Sequence, residues 1–239
     1  TAVRYVATQQ NRGLLLRLIS DDFEDVDDLE ATLDGIPAVF GVERNEIDLL
    51  IDLGSVLNVS AGTVAQMYRA DIDLIPNLDE WRTLTVASSA FPLGLTPLVR
   101  DQWNPSPRVD WRGWRQLVTG AKRPSRLPAY GDYTIAHPNL PPEGRATILA
   151  QLRYATPDTW IIWKGRNVFT DPNGFDQFFA ICANLVGRAE YRGADFSWGD
   201  AEISQKAANA GSSGNAETWR KIGTNHHIET VLEQIANLP

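Results

Sequence analysis

Asp48-Leu-Leu-Ile-Asp-Leu53 sets three large aliphatic residues in a row between two carboxylates and a fourth just beyond them. A short continuous apolar run of this kind reads as a strand buried on both faces, the pattern of a parallel sheet. Upstream, Gly13-Leu-Leu-Leu-Arg-Leu18 is a second such run with Arg17 near its end. Between them, residues 21–40 open on an acidic turn and continue as a helix carrying Val26, Leu29 and Leu33. Downstream, Asn58 or Ser60 suits the N-cap of a helix through Met67 to Leu78. Arg82 to Ser89 follows as a third strand, stopped by Pro92.

The alternation continues with a short helix from Asp110 to Ala121 and a strand from Leu127 to Thr134. Ile148–Tyr154 and Thr159–Lys164 are two more strands whose separation by Thr-Pro-Asp suggests a hairpin or a staggered pair. Gly174 to Gly187 reads as a helix with Phe175, Phe178, Phe179 and Cys182 inward, and Asn225 to Leu238 as an amphipathic helix with Ile228, Val231, Leu232 and Ile235 on one stripe. Strands alternating with helices predict a largely parallel α/β fold: an incomplete TIM-barrel-like arrangement first, an open doubly wound sheet as the alternative. The expected organisation is one α/β domain over residues 1–239, the C-terminal part of a longer chain, with an insert at 100–126.

The chain has one cysteine, Cys182, so it can form no internal disulfide, which favours a reducing, cytoplasmic setting. No apolar run approaches the roughly 20 residues of a membrane span, and no membrane partner is expected. The net charge of −8 argues against general avidity for nucleic acid. Its distribution is uneven: residues 1–99 carry 6 basic and 16 acidic side chains, whereas 100–126 carry 7 basic and 2 acidic. That basic block interleaves Trp103, Trp111 and Trp114 with its arginines, a composition that could stack on bases, dock a protein partner, or fix the segment to the core.

Ligands of parallel α/β folds bind at the C-terminal ends of the strands. Polar residues fall there: Arg17, Asp52, Ser88 and Ser89, Asp132 in Tyr130-Gly-Asp-Tyr133, and Lys164. Asp52 and Asp132 each stand beside a glycine that allows close backbone approach. Such a ring suits an anionic ligand, with the carboxylates as bases or as ligands for a Mg²⁺ ion. Near the C-terminus, Arg192-Gly-Ala-Asp-Phe-Ser-Trp-Gly-Asp200, if extended, presents Asp195 and Ser197 on one face and Phe196 and Trp198 on the other; Asp200 suits a helix cap. In Trp219-Arg-Lys-Ile-Gly-Thr-Asn-His-His227, Thr224 or Asn225 would cap the last helix, placing His226 and His227 in its first turn. The helix dipole would there hold a histidine neutral, ready to act as acid or base. The two diverge by roughly 100° and cannot share a metal. No GxSxG, Walker, HExxH, CxxC or GxGxxG signature is present.

These stretches, together with Trp81-Arg-Thr-Leu-Thr-Val-Ala-Ser-Ser-Ala-Phe-Pro92 and Leu152-Arg-Tyr154, resemble the beta protein family of T-even phages, prophages and bacteria. The likeness runs from about residue 13 to the end and corresponds to the C-terminal two-thirds of that family. It implies a barrel-like α/β fold and a setting in phage–host conflict and antiviral defence, but no reaction. Two functions are therefore expected. The first is a phosphodiester or nucleotide hydrolase: Asp52, Asp132, Asp195, His226 and His227 would do the chemistry, and Arg17, Lys164, Arg192, Ser197, Trp198 and Asn225 would bind an anionic substrate or nucleic acid. The second is a non-catalytic sensor or binding module for a phage component, nucleotide or protein partner.

Overall fold

The computed structural model describes residues 12–139 and 148–238, together with Val3, Ala7 and Thr8. The chain divides into two compact units: Thr1–Ala90 with Val109–Tyr133, and Phe91–Arg108 with Thr134–Pro239. The basic segment 100–126 is shared between them.

The first unit holds the parallel strands and alternating helices that the sequence predicts, without the expected barrel-like arrangement among the described residues. Strands β1 (Leu14–Ile19), β2 (Ile47–Ser55), β3 (Thr83–Ser89) and β5 (Ala129–Asp132) form one sheet in the order β1-β2-β3-β5, every pair parallel. Helices α1 (Val26–Phe40), α2 (Ala61–Asp73) and α3 (Val109–Thr119) alternate with them. Asp25 caps α1 by accepting from the amides of Asp27 and Asp28, and Ser60 caps α2 by accepting from that of Thr63. Ile47, Leu49 and Ile51 alternate into the core with Leu84 and Val86, each 3% exposed or less. Trp111 and Trp114 lie in the same core, with ring centroids 5.2 and 5.3 Å from Tyr130. The insert tryptophans at 111 and 114 thus serve packing, and Arg126 is committed to the carbonyls of Leu78, Trp81 and Arg82.

The second unit departs from the expected parallel pattern. Its sheet, in the order β4-β7-β6, is antiparallel: β4 (Gln102–Pro107), β6 (Leu149–Ala155) and β7 (Thr159–Asn167). The connection through 156–158 is too short for a crossover, so β6 and β7 pair as a hairpin and do not extend the parallel sheet. β7 is central. Ile161 faces a core with Leu152, Tyr154, Ile181 and Trp219, while Trp160 and Ile162 face a second cluster with Phe91 and Ile135. Helices α4 (Gln177–Val186), α5 (Trp198–Ala207) and α6 (Ala216–Ala236) complete the unit.

Three expectations near the C-terminus are corrected. Residues 192–197 are not a strand; Ser197 is the N-cap of α5 and accepts from the amide of Asp200. The last helix begins at Ala216 under an Asn215 cap, so Gly223-Thr224-Asn225 lies inside it and the histidines fall in its third turn. At Gly223 a Cβ would stand a tight 3.1 Å from the Arg153 carbonyl oxygen; at Gly199, where α5 meets α6, it would stand 2.5 Å from that of Ile222, which excludes a side chain without a shift. The expected apolar stripe of α6 is also reversed: Ile228, Leu232 and Ile235 are 44%, 56% and 38% exposed, while Trp219, Ile222, His226 and Thr230 are buried. Among the described residues, no helix is long and apolar enough to cross a membrane.

Candidate functional site

In the parallel sheet, Ile19, Asp52, Ala87 and Gly131 stand in register across the four strands. Residues in register point to one face, so Arg17, two residues before Ile19, and Tyr133, two after Gly131, lie on that same face. Ala87 and Gly131 are small, which leaves room for Tyr133 to reach across β3 to β2. The outcome is a cluster at the C-terminal edge of the sheet. Asp52 Oδ2 accepts from Arg17 Nε at 2.8 Å and from the Tyr133 hydroxyl, and its Oδ1 accepts from the Gly54 amide at 2.8 Å. Arg17 Nη2 lies 2.8 Å from Asp52 Oδ2 and donates to the Tyr133 hydroxyl at 3.1 Å. The Asp52 side chain is 3% exposed and that of Arg17 is 53% exposed. The hydrogen bond to Asp52, then its charge, raise the Arg17 guanidinium above its ordinary value. Burial, then the bond to Asp52, raise the Tyr133 hydroxyl.

Asp132 does not join this cluster. It pairs in register with Ser88, one residue beyond the Asp52 row, so the pleat turns it to the opposite face. Ser88 on that face is fully buried and accepts from the Tyr68 hydroxyl at 2.7 Å. The two carboxylates grouped by the sequence reading therefore lie on different sides of the sheet.

The second unit holds a buried polar cluster. His226 Nδ1 lies 2.7 Å from Asp200 Oδ2, and its Nε2 lies 2.8 Å from the Ala155 carbonyl oxygen. Asp200 also accepts from the hydroxyls of Tyr154 at 2.7 Å and Ser197 at 2.6 Å. The Asp200 carboxyl and the Ala155 carbonyl thus occupy both ring nitrogens of His226. Tyr154 stacks on it at 3.7 Å and accepts from the Arg192 amide at 2.9 Å. Asp200, His226 and Tyr154 are all 0% exposed. This is a closed network that pins α5 and α6 to β6, with no ring nitrogen left for a substrate. The site-facing position expected for His226 at a helix N-terminus is thereby corrected.

The other expected site residues are dispersed. His227 is 1% exposed, its ring centroid 4.8 Å from that of Trp160. Lys164 Nζ donates to the carbonyls of Thr96 at 3.2 Å and Leu98 at 2.6 Å. Arg192 pairs with Glu233 at 2.7 Å and lies over the Phe196 ring at 4.1 Å. Asn225 Oδ1 accepts from the Gly199 amide at 2.8 Å. Trp198 is 51% exposed, and Asp195 is exposed. Among the described residues no group of three or more His, Cys, Asp and Glu side chains has an arrangement that could hold a metal ion. The sequence reading did not single out Tyr133 or Tyr154; Tyr133 was legible from its two-residue spacing to Gly131.

A family model described as Beta protein matches residues 1–233, beginning earlier than the motifs that carry the resemblance. No curated protein and no solved structure matches the chain.

Proposed function

The chain belongs to the Beta protein family, and from that premise we propose that it is a recognition module for an anionic, phosphate-bearing small molecule bound at the C-terminal edge of the parallel sheet. One observation carries this reading: Asp52 is buried and fixes the inner edge of Arg17, while that guanidinium is half-exposed and Nη1 has no hydrogen-bond partner among the described residues. A guanidinium held by a buried carboxylate is preorganised to offer its free edge to a phosphate oxygen. The strand ends are also where parallel α/β folds take their ligands. Recognition is favoured over hydrolysis because Asp52 already accepts from three groups and His226 has no free nitrogen. The setting in phage–host conflict rests on the resemblance alone.

The test is thermal unfolding of the chain with inorganic phosphate, nucleoside monophosphates and nucleoside triphosphates, each with product analysis. At 100 times Kd a ligand of the native state adds about 2.7 kcal/mol to stability. A phosphate-dependent rise in Tm that disappears in Arg17→Gln, with no product formed, is the expected result. A rise unchanged in Arg17→Gln, or no rise at all, removes the site. Product formed by the wild type and lost in Asp52→Asn would restore the hydrolase.

A further inference from the structure

The second unit contains a cavity of about 360 Å³ that lies apart from the Asp200 network. Ile135, Leu149, Phe175 and Trp219 supply apolar walls, and Gln151, Arg153 and Arg220 supply the polar atoms. Trp219 is held rigidly: its indole stacks on Phe178 at 3.7 Å and 5°, and its Nε1 donates to the Ser213 carbonyl at 2.9 Å. Arg153 is equally fixed. Its Nε and Nη2 donate to Gln151 Oε1 at 3.2 and 3.1 Å, its Nη1 donates to the Ile135 carbonyl, and its guanidinium lies 4.6 Å from the Phe91 ring centroid.

Among the described residues, both charged side chains that line this cavity are positive. Arg153 has no carboxylate partner among them, while the exposed Arg220 feels the charge of Glu217, one turn earlier on α6. Burial, and after it the neighbouring Arg220, pull the Arg153 guanidinium down to about 10. A buried cation is normally paired, because leaving it alone in an apolar setting is costly. Elsewhere in the unit the pattern is the usual one: Arg166, Arg188 and Arg192 pair with Asp101, Glu190 and Glu233. A buried arginine with no carboxylate partner among the described residues and an exposed one beside it, on one aromatic-walled cavity, form a complementary shape for one kind of molecule.

We propose that this cavity binds a small organic anion with a flat apolar body, its head group between Arg153 and Arg220 and its body against Trp219 and Phe175. The volume is within the range of small-ligand pockets, and a few convergent polar groups on apolar walls are their usual composition. This site is independent of the one at the parallel-sheet edge.

The probe is naphthalene-1-sulfonate, titrated by calorimetry into the whole chain, with 1-naphthalenemethanol as its neutral counterpart and inorganic phosphate as its head group alone. The sulfonate is expected to bind at least tenfold more tightly than either. Arg220→Gln, at an exposed position on α6 where folding does not depend on the side chain, is expected to weaken it at least fivefold. Ala216→Leu, which fills part of the cavity from the first turn of α6, is expected to abolish it. Arg17→Gln should leave the affinity unchanged, which separates this site from the phosphate site. Equal affinity for the neutral alcohol, or wild-type affinity in both Arg220→Gln and Ala216→Leu, overturns the proposal.

Discussion

The molecule assembles one set of parts twice. Asp52 with Arg17 and Tyr133 in the first unit, and Asp200 with His226 and Tyr154 in the second, are each a carboxyl group, a nitrogen-bearing side chain and a tyrosine hydroxyl within hydrogen-bonding distance. Their environments differ. At the sheet edge only the carboxylate is buried, and the cation's side chain is 53% exposed. In the second cluster all three are sealed, and both ring nitrogens are committed. The same chemistry therefore yields a site in one place and a structural pin in the other. What decides is whether the nitrogen-bearing side chain keeps a free edge, since a saturated one has nothing left to offer a ligand.

Breaking the sealed cluster should produce the largest effect. Asp200→Ala leaves His226 Nδ1 without its buried partner and removes the acceptor of Tyr154 and Ser197. Stranding one member of a buried pair costs about 3–5 kcal/mol, and urea unfolding should show that loss. A cost below about 1 kcal/mol, the range of exposed pairs, would mean the pair is not sealed. Asp52→Ala is the matching change at the sheet edge. It strands the Tyr133 hydroxyl and the Gly54 amide but leaves Arg17 able to turn to water, so about 1–3 kcal/mol is expected. Arg17→Gln should cost only about 0.2–1 kcal/mol, the range of exposed pairs. If it cost as much as Asp200→Ala, the two clusters would be of one kind and the contrast would fail.

The contrast also explains what the sequence could disclose. Continuous aliphatic runs at 13–18 and 48–53 reveal strands because a buried strand needs apolar side chains on both faces, and the parallel sheet followed from them. Strand β4 was hidden, because Gln102-Trp-Asn-Pro-Ser-Pro107 carries two prolines, which an edge strand tolerates and a pattern search rejects. The start of α6 was hidden by Gly223, which reads as a helix end but lies inside the helix where the Arg153 backbone passes close to it. For the site, Asp52 and Arg17 were legible as strand-end polar residues. That Asp132 leaves them follows only from the register, since a one-residue offset reverses the face. The partnership of Asp200 with His226 spans 26 residues and no local spacing announces it.

Asp71 supplies the case that neither cluster presents, a carboxylate partly buried on α2 with no cation beside it among the described residues. Burial alone raises its carboxyl from 3.8 to about 6. The sign is opposite to that of a paired acid. Between these two values the folded chain holds the Asp71 proton more firmly than the unfolded chain does. This group's contribution is therefore most favourable below about pH 4, declines as pH rises through the window from 4 to 6, and is level above it. Because the side chain is partly solvated, the effect is expected to be the smallest of the four. Urea midpoints of the wild type and Asp71→Asn, compared from pH 4 to pH 7, should diverge steadily up to about 6 in favour of the amide and then run parallel. Parallel curves across the whole range would show that Asp71 is as well solvated as an exposed carboxylate, and that burial without a partner has no energetic consequence at that position.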